Sequence, residues 1–315
     1  MKISIVGAAG NVGSSTAFNI GIHNLADELV MVDNFSADKL EHYVTDLATA
    51  VTGREIVVRA GGYEDMRDSD IVLVSAGSSK VGTSRMGLLP LNLPVFQDIA
   101  GKIKQFCPDA VVITATNPVC PLNYAMCLAT GFERKRVLGY TYNDSMRFRL
   151  FLSRALGLKS SQVEATVIGE HGGSQVLLFS SVRVKGKPFQ VNEDIKQEVQ
   201  AEADNTLSVI EAQRLKTGRT QAWTSSVGLS EICRAIVKNA LRVIPCSLVL
   251  DGEYGYRGVS ISVPAVIGRE GAREIQEWEL SSEERHLLEV SVNTLRPAMN
   301  YVEQFLGVEI KEKSR

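Results

Sequence analysis

Five polar residues of this 315-residue chain have side chains that together suit one reaction: Arg85, Asn117, Asp144, Arg147 and His171. An arginine can bind a carboxylate through two parallel hydrogen bonds, so Arg147 can hold a 2-keto acid in one orientation. Histidine titrates near neutral pH, and His171 can therefore supply the proton for reduction of the adjacent carbonyl. A buried Asp144 would fix the tautomer of that imidazole. Arg85 could polarise the carbonyl and stabilise the alkoxide charge that develops.

Each of these residues has a simpler interpretation when it is taken alone. Asp144 and Arg147 are three residues apart on a predicted helix, where a local ion pair is common. Asn117 precedes Pro118 and is typical of a turn, and a lone histidine between glycines is more often structural than catalytic. Arg85 closes a Gly/Ser-rich segment with few apolar anchors, which predicts either a mobile lid or an ordinary surface loop. The chemistry therefore depends on whether the fold brings the five together.

The elements that must position these residues alternate in the first half of the chain. Short apolar, β-branched runs suggest strands buried on both faces of a parallel sheet. Helix-length segments between them predict a doubly wound α/β domain. The runs lie at 3–6, 29–32, 56–58, 71–74 and 111–113, with a weaker one at 137–138.

The second half has a different pattern, which predicts an α+β domain. Helical patterns occur at 144–156, 193–216, 220–241 and about 281–305, and Ser281 with Glu284 fits a capping box at the start of the last one. Antiparallel strands are predicted near 162–168, 176–185, 244–250 and 259–263, and a frayed tail at 311–315. We therefore expect a Rossmann-type domain at 1–142 and a substrate-binding, catalytic domain at 143–315.

The first predicted strand ends in the glycine-rich segment GAAGNVG at residues 7–13. Glycines there allow a tight turn and a close approach of backbone to a pyrophosphate, which the N-terminus of the following helix would attract. A plain turn is the alternative. Asp33 ends the next predicted strand, 20 residues after Gly13. Its carboxylate can accept both ribose hydroxyls and would repel a 2′-phosphate, so NAD is favoured over NADP.

Composition excludes several classes of function. The chain has 34 basic and 36 acidic residues and a formal net charge of −2, which offers no broad basic surface for nucleic acid. Five cysteines lie inside apolar runs, as expected of reduced thiols in a cytoplasmic protein. No charged residue occurs between Asp109 and Glu133, but the prolines in this stretch favour a buried strand, turn and helix over a membrane span. We also identify no signal peptide.

With these motifs in this order and spacing, the chain resembles the lactate/malate dehydrogenase superfamily of NAD-dependent L-2-hydroxyacid dehydrogenases, nearer the malate side. The resemblance covers nearly all 315 residues. It rests on GAAGNVG at 7–13, Asp33, the lid ending Thr83-Ser84-Arg85, Asn92, TNP at 116–118, DSMR at 144–147 and GEHG at 169–172.

The resemblance implies a role for each motif. His171 would be the acid/base with Asp144 as its partner, Arg147 would bind the substrate carboxylate, Arg85 would polarise the carbonyl and Asn117 would hydrogen-bond the substrate. NAD would be the cofactor, no metal would be needed, and the protein would be a homodimer or homotetramer. The residues implied to contact the cofactor are Gly7, Gly10, Asn11, Val12, Gly13, Asp33, Ala76, Gly77, Asn92 and Thr116.

The positions that select the substrate depart from the family pattern. Malate enzymes usually carry a second lid arginine and lactate enzymes a glutamine, whereas Ser79 takes that position here, with Lys80 beside it. The opposite wall usually has a small residue, and Trp223 takes its place, either lining the substrate pocket or pointing into the core or a subunit contact. Malate or lactate is the default expectation, and a different small 2-hydroxy acid is the alternative.

Two other classes of protein share this fold and cofactor. NAD-dependent glycosidases also need a divalent metal, and Cys120 close to Asn117 gives that interpretation some support. A non-enzymatic NAD-binding protein is the third hypothesis, which the intact set of arginines, aspartate and histidine opposes.

Overall fold

The computed structural model describes residues 1–34, 37–78, 80–219 and 222–308. In the first half, strands and helices alternate as predicted, except that no α-helix lies between β3 and β4, which are joined by a loop with a short 3-10 turn at Glu64–Met66. The elements are β1 (Lys2–Val6), α1 (Asn11–Ile22), β2 (Glu28–Val32), α2 (Ala37–Ala50), β3 (Val57–Gly61), β4 (Ile71–Val74), α3 (Leu89–Phe106), β5 (Val111–Thr114), α4 (Val119–Thr130) and β6 (Val137–Tyr140). These strands pair in parallel in the order β3-β2-β1-β4-β5-β6. Most of their side chains are buried because helices cover the sheet on both faces.

The second half contains α5 (Tyr142–Ala155), β7 (Val163–Glu164), β8 (Val167–Gly169), β9 (Gln175–Leu177), β10 (Arg183–Val184), β11 (Lys187–Pro188), α6 (Glu193–Thr217), α7 (Trp223–Val237), β12 (Arg242–Asp251), β13 (Arg257–Gly268), β14 (Gly271–Ile275) and α8 (Ser282–Leu306). The predicted helices and the long hairpin β12–β13 are confirmed. The predicted strands at 162–168 and 176–185 are each interrupted, and β14 was not predicted. The expected tail at 311–315 lies outside the described residues.

The parallel sheet continues into the second half without a break. β12 pairs antiparallel with β6, and the order then runs β12-β13-β8-β9. β14 also pairs with β13, along the edge opposite β12. A large hydrophobic core extends along this sheet, and a smaller one lies between α5, α6 and the short strands. The fold is therefore mixed α/β with a Rossmann-like N-terminal part, while the division at residue 142 stays a prediction.

The start of α8 and the stretch without charged residues between Asp109 and Glu133 both form as the sequence predicts. The Ser281 hydroxyl accepts the N–H of Glu284, whose carboxylate accepts the N–H of Ser281, which is the expected capping box. The residues between Asp109 and Glu133 form the buried strand β5 and the helix α4. Across the described residues, we find no helix long and apolar enough to cross a membrane.

The five cysteines are all buried and unpaired, at 107, 120, 127, 233 and 246. Burial raises the pKa of Cys120, Cys233 and Cys246 to about 12 and that of Cys127 to about 11. A thiol must be ionised and accessible in order to attack a disulfide reagent.

We therefore expect no rapid reaction of native protein with a chromogenic aromatic disulfide at pH 8, and five equivalents of reaction after denaturation in guanidinium chloride. The denatured sample is the control for reagent and protein concentration. A stoichiometric burst from the native protein would contradict the buried placement of these thiols.

Candidate active site

The predicted functional segments meet at the carboxyl ends of the parallel strands. Gly7 follows β1, Asp33 follows β2, Ala76 lies just beyond β4, and Thr116 lies just beyond β5. The order of the strands reverses between β1 and β4, since β2 and β3 lie on one side of β1 and β4 to β6 lie on the other. In open α/β sheets, ligands bind in the crevice at such a point.

The glycine-rich turn has a shape that side chains would prevent. Gly7 has a φ of +87°, and a Cβ added to it would lie 2.4 Å from the backbone nitrogen of Ala76. A Cβ on Gly13 would lie 2.2 Å from the carbonyl oxygen of Gly7. Gly10 precedes α1 in an extended conformation, so that Asn11, Val12 and Gly13 form its first turn. This close turn at a helix N-terminus fits a pyrophosphate group.

Asp33 is attached to this turn. Its Oδ2 accepts the backbone N–H of Ala9 at 2.9 Å, and the carbonyl of Val32 accepts the N–H groups of Gly7 and Ala8. The carboxylate therefore lies at the end of the turn, where a ribose next to a bound pyrophosphate would be found.

A second group of predicted cofactor residues is joined by hydrogen bonds. The Thr116 hydroxyl donates to the carbonyl of Ala76 at 2.8 Å, and a Cβ on Gly77 would lie 2.4 Å from the Thr116 methyl carbon. The buried Asn92 accepts the N–H of Ser78 at 2.6 Å and donates to the carbonyl of Asn117 at 2.9 Å. The loops after β4 and β5 are thus held side by side by α3.

His171 and Asp144 form a buried pair. The Nδ1 atom of His171 lies 2.6 Å from Oδ2 of Asp144, and their side chains are 7% and 4% exposed. Arg147, one turn further along α5, donates to the other Asp144 oxygen at 3.1 Å. Burial alone favours the neutral acid, yet the charges of His171 and Arg147 hold the pKa of Asp144 below its usual value. Asp144 is therefore an ionised acceptor that orients the imidazole.

Two serines that the sequence analysis did not single out fix this pair. The Ser145 hydroxyl on α5 accepts the N–H of Val167 at 2.9 Å, which ties the helix that carries Asp144 to β8. Beyond β8, the N–H of Glu170 donates to the buried Ser291 on α8 at 2.6 Å. The Glu170 carboxylate then accepts both the N–H and the hydroxyl of Ser174, at 3.1 and 2.6 Å. The turn that holds the histidine is therefore rigidly attached to α8.

Arg85 and Asn117 complete the group of polar residues. The Arg85 side chain is 17% exposed, and the charges of Asp144 and Arg147 are close enough to affect it. Burial lowers its pKa, and the two carboxylates of Asp144 and Glu211 partly oppose this effect. Among the described residues, the buried Oδ1 atom of Asn117 has no hydrogen-bond partner. A buried acceptor without a partner costs about 1–3 kcal/mol, which a ligand donor would recover.

The predicted specificity positions are exposed where the structure describes them. Ser79 lies outside the described residues, and Lys80 is exposed. Trp223 is the first residue of α7 and is 78% exposed, which excludes the alternative that it packs into the core. The first turn of α7 lies next to the start of α5, because Asn143 donates to the Ser225 hydroxyl at 3.0 Å.

The described residues contain no group of three or more His, Cys, Asp or Glu side chains arranged to hold a metal ion. Cys120, which supported the metal-dependent alternative, is buried, and its pKa of about 12 keeps the thiol protonated at neutral pH. A protonated thiol is a poor metal ligand.

The site combines a Rossmann-like sheet, a glycine turn with an aspartate at its end, and a buried His–Asp pair close to two arginines. Together, these features define an NAD-dependent oxidoreductase acting on a small acid. Comparison with known proteins identifies the family. The profile described as "lactate/malate dehydrogenase, NAD binding domain" matches residues 1–139, and "lactate/malate dehydrogenase, alpha/beta C-terminal domain" matches residues 141–306. The chain belongs to the lactate/malate dehydrogenase family.

The relatives include both malate and lactate dehydrogenases. Malate dehydrogenase of Natronomonas pharaonis is 37% identical over 301 residues, which cover 93% of this chain and 97% of that protein. L-lactate dehydrogenase 1 of Staphylococcus aureus is 35% identical over 315 residues, covering 96% and 97%. Among solved structures, Cryptosporidium parvum lactate dehydrogenase complexed with lactic acid and NAD has a TM-score of 0.88 and 28% identity, covering 96% of this chain and 98% of that one.

These matches confirm the resemblance, the fold class, the NAD cofactor and the type of enzyme. The chain is an NAD-dependent oxidoreductase that interconverts a 2-hydroxy acid and its 2-keto acid. The glycosidase and non-enzymatic alternatives are therefore wrong.

Proposed function

We propose that the chain interconverts an L-2-hydroxy acid and its 2-keto acid with His171 as the proton donor and acceptor. The observation that carries this proposal is the 2.6 Å contact between His171 Nδ1 and the ionised Asp144, with Arg147 on the same carboxylate. Since Nδ1–H donates a hydrogen bond to Asp144, the Nε2 atom is the one that would exchange a proton with substrate.

The remaining residues would bind and polarise the substrate. Arg147 would hold its carboxylate, Asn117 would donate to or accept from its oxygen atoms, and Arg85 would stabilise negative charge on the carbonyl oxygen. NAD supplies or accepts the hydride when bound, and the glycine turn at 7–13 with Asp33 would hold its pyrophosphate and ribose. Ala76, Gly77, Asn92 and Thr116 would line the remainder of the cofactor site. The cofactor half would span 1–142 and the substrate half 143–315.

The choice of 2-keto acid depends on the protein groups that bind the end of the substrate remote from its carboxylate. Malate or lactate is the default, but 37% and 35% identity to enzymes of the two kinds differ too little to select one. Lys80 could attract a distal anion only as a point charge. A different small 2-hydroxy acid is the second candidate, favoured by the departure of Ser79 and Trp223 from the residues usual in malate and lactate enzymes.

We also propose that the protein is a homodimer or homotetramer and that it is located in the cytoplasm. Large apolar side chains are exposed on α1 and α7, two helices that pack against each other: Phe18, Trp223 and Val227. Such a surface supports contact with a second copy. Nucleic acid and membranes are not expected partners.

The experiment that tests the function is NADH oxidation with a panel of 2-keto acids: pyruvate, oxaloacetate, 2-ketoisocaproate, phenylpyruvate and sulfopyruvate. We expect saturable turnover with at least one of them, unchanged by a chelator, and a product of L configuration. Absence of turnover with every acid would refute the proposal.

The preference for NAD is expected to depend on Asp33. In Asp33→Ser, the loss of a charge-assisted bond to the ribose and of repulsion toward a 2′-phosphate should lower the NADH-over-NADPH ratio of kcat/KM by about 10- to 100-fold, equivalent to about 1.4–3 kcal/mol. Steady-state kinetics with both cofactors measures it. Asp46→Ser on the exposed face of α2 is the matched control, and an unchanged ratio in Asp33→Ser would rule out this role.

A further inference from the structure

The final part of the lid, residues 80–85, is attached to the last turns of α6 by four contacts. The N–H of Gly82 donates to the carbonyl of Leu215 at 2.9 Å. Arg214 Nη2 donates to the carbonyl of Thr83 at 2.5 Å, and the N–H of Arg85 donates to Glu211 at 3.3 Å. The fourth contact is an ion pair between Arg85 Nε and Glu211 Oε2 at 3.4 Å, which lacks the geometry of a hydrogen bond. Most of these contacts use lid backbone, so they do not depend on the lid sequence.

Glu211 and Arg214 form a bidentate pair one turn apart on α6. Arg214 Nε donates to Oε2 at 2.9 Å and Nη2 to Oε1 at 2.6 Å. The Arg214 side chain is 5% exposed, and a buried guanidinium is stable only with a charged partner. Arg214 is thus fixed in place by Glu211 and is directed at the lid.

The same carboxylate faces Arg85. Hydrogen bonding from Arg214 lowers the pKa of Glu211, which therefore stays ionised. Its charge partly offsets the burial that lowers the pKa of Arg85. One carboxylate thereby joins a buried arginine of α6 to Arg85, whose pKa is also raised by the charge of Asp144.

We propose that Glu211 and Arg214 are positioning residues, which hold the lid on α6 and orient the Arg85 guanidinium toward the reacting carbonyl. The inference rests on the proposed function for the role of Arg85. Glu211 and Arg214 act through Arg85 and the lid, without touching substrate. The C-terminal half of α6 is accordingly part of the machinery of the reaction.

The first test is Glu211→Gln, which keeps the shape of the side chain and removes its charge. We expect kcat to fall about 10- to 100-fold, as misplacement of a catalytic group by about 1 Å can do, with the Kd for NADH unchanged. Glu202→Gln is the matched control, because Glu202 lies on the same helix and pairs with the exposed Arg154 at 2.8 Å. Equal kcat in the two variants would overturn the proposal.

A double-mutant cycle separates positioning from a general structural effect. If Glu211 acts through Arg85, Glu211→Gln should have little further effect on kcat in an Arg85→Ala background. If the effects of the two substitutions multiply, Glu211 does not act through Arg85. Thermal unfolding is measured for every variant, and Arg214→Lys replaces Glu211→Gln in the cycle if the latter does not fold.

Hydrogen exchange tests the attachment of the lid without any turnover. Glu211→Gln should speed exchange at the amides of Gly82 and Arg85, whereas Glu202→Gln should not. Exchange equal to that of the unaltered protein would overturn the attachment. If the unaltered protein reduces none of the panel acids, the proposed function is refuted. Faster exchange at these amides in Glu211→Gln would then still support the attachment of the lid.

Discussion

His171→Asn is expected to lower kcat for reduction of the preferred 2-keto acid by about 10²–10⁴-fold, the usual contribution of a general acid. Asparagine can still donate to Asp144, but it has no group that releases a proton near neutral pH. Because the asparagine amide keeps a hydrogen-bond donor for the buried Asp144 carboxylate, we expect the fold and the Kd for NADH to be retained. Steady-state kinetics, NADH fluorescence titration and thermal unfolding measure these three quantities.

The matched control for this variant is His286→Asn, since His286 is an exposed histidine on α8. That variant should keep the full kcat. Robust activity in His171→Asn, with the control behaving as expected, would remove His171 from the mechanism and leave Asp144 and the two arginines without an acid/base to orient.

The parallel sheet was predictable because its strands are buried on both faces, which leaves short continuous apolar runs between helices. The second half was harder. The strands at 162–168 and 176–185 contain bends that no run of apolar residues marks, and β14 (Gly271–Ile275) has only five residues, two of them charged. Such a strand is defined by its pairing with β13, which depends on the tertiary fold.

The candidate site was predictable where one short segment holds several of its residues. DSMR puts Asp144 and Arg147 on one helix face, and GEHG marks a turn with a histidine. By contrast, Ser291 and Arg214 were not predicted, because a serine within α8 and an arginine within α6 resemble any other polar residue of an amphipathic helix. They acquire a role only when the fold brings them to Glu170 and Thr83, more than 100 residues away in sequence.

Arg147 is expected to have the second large effect, on recognition of the substrate carboxylate. Arg147→Ala removes the guanidinium that could pair with that carboxylate. Truncation of one partner in a buried charged pair costs about 2–5 kcal/mol, which corresponds to a loss in kcat/KM of about 30- to 4,000-fold. Arg147→Lys keeps the charge without the planar fork, so it should recover only part of this loss. Kinetics with the preferred 2-keto acid measure both variants.

A comparison of substrates separates carboxylate binding from indirect damage to the His171–Asp144 pair, since Arg147 also donates to Asp144. Damage to that pair would slow every carbonyl substrate equally, whereas loss of carboxylate binding should slow the 2-keto acid much more than its uncharged amide. The ratio of kcat/KM for acid over amide should therefore fall toward one in Arg147→Ala. It should be unchanged in Arg154→Ala, whose arginine is exposed near the end of the same helix. A preserved ratio in Arg147→Ala would mean that another cation binds the carboxylate. Arg85, whose pKa is affected by the charge of the same buried aspartate, is then the next candidate.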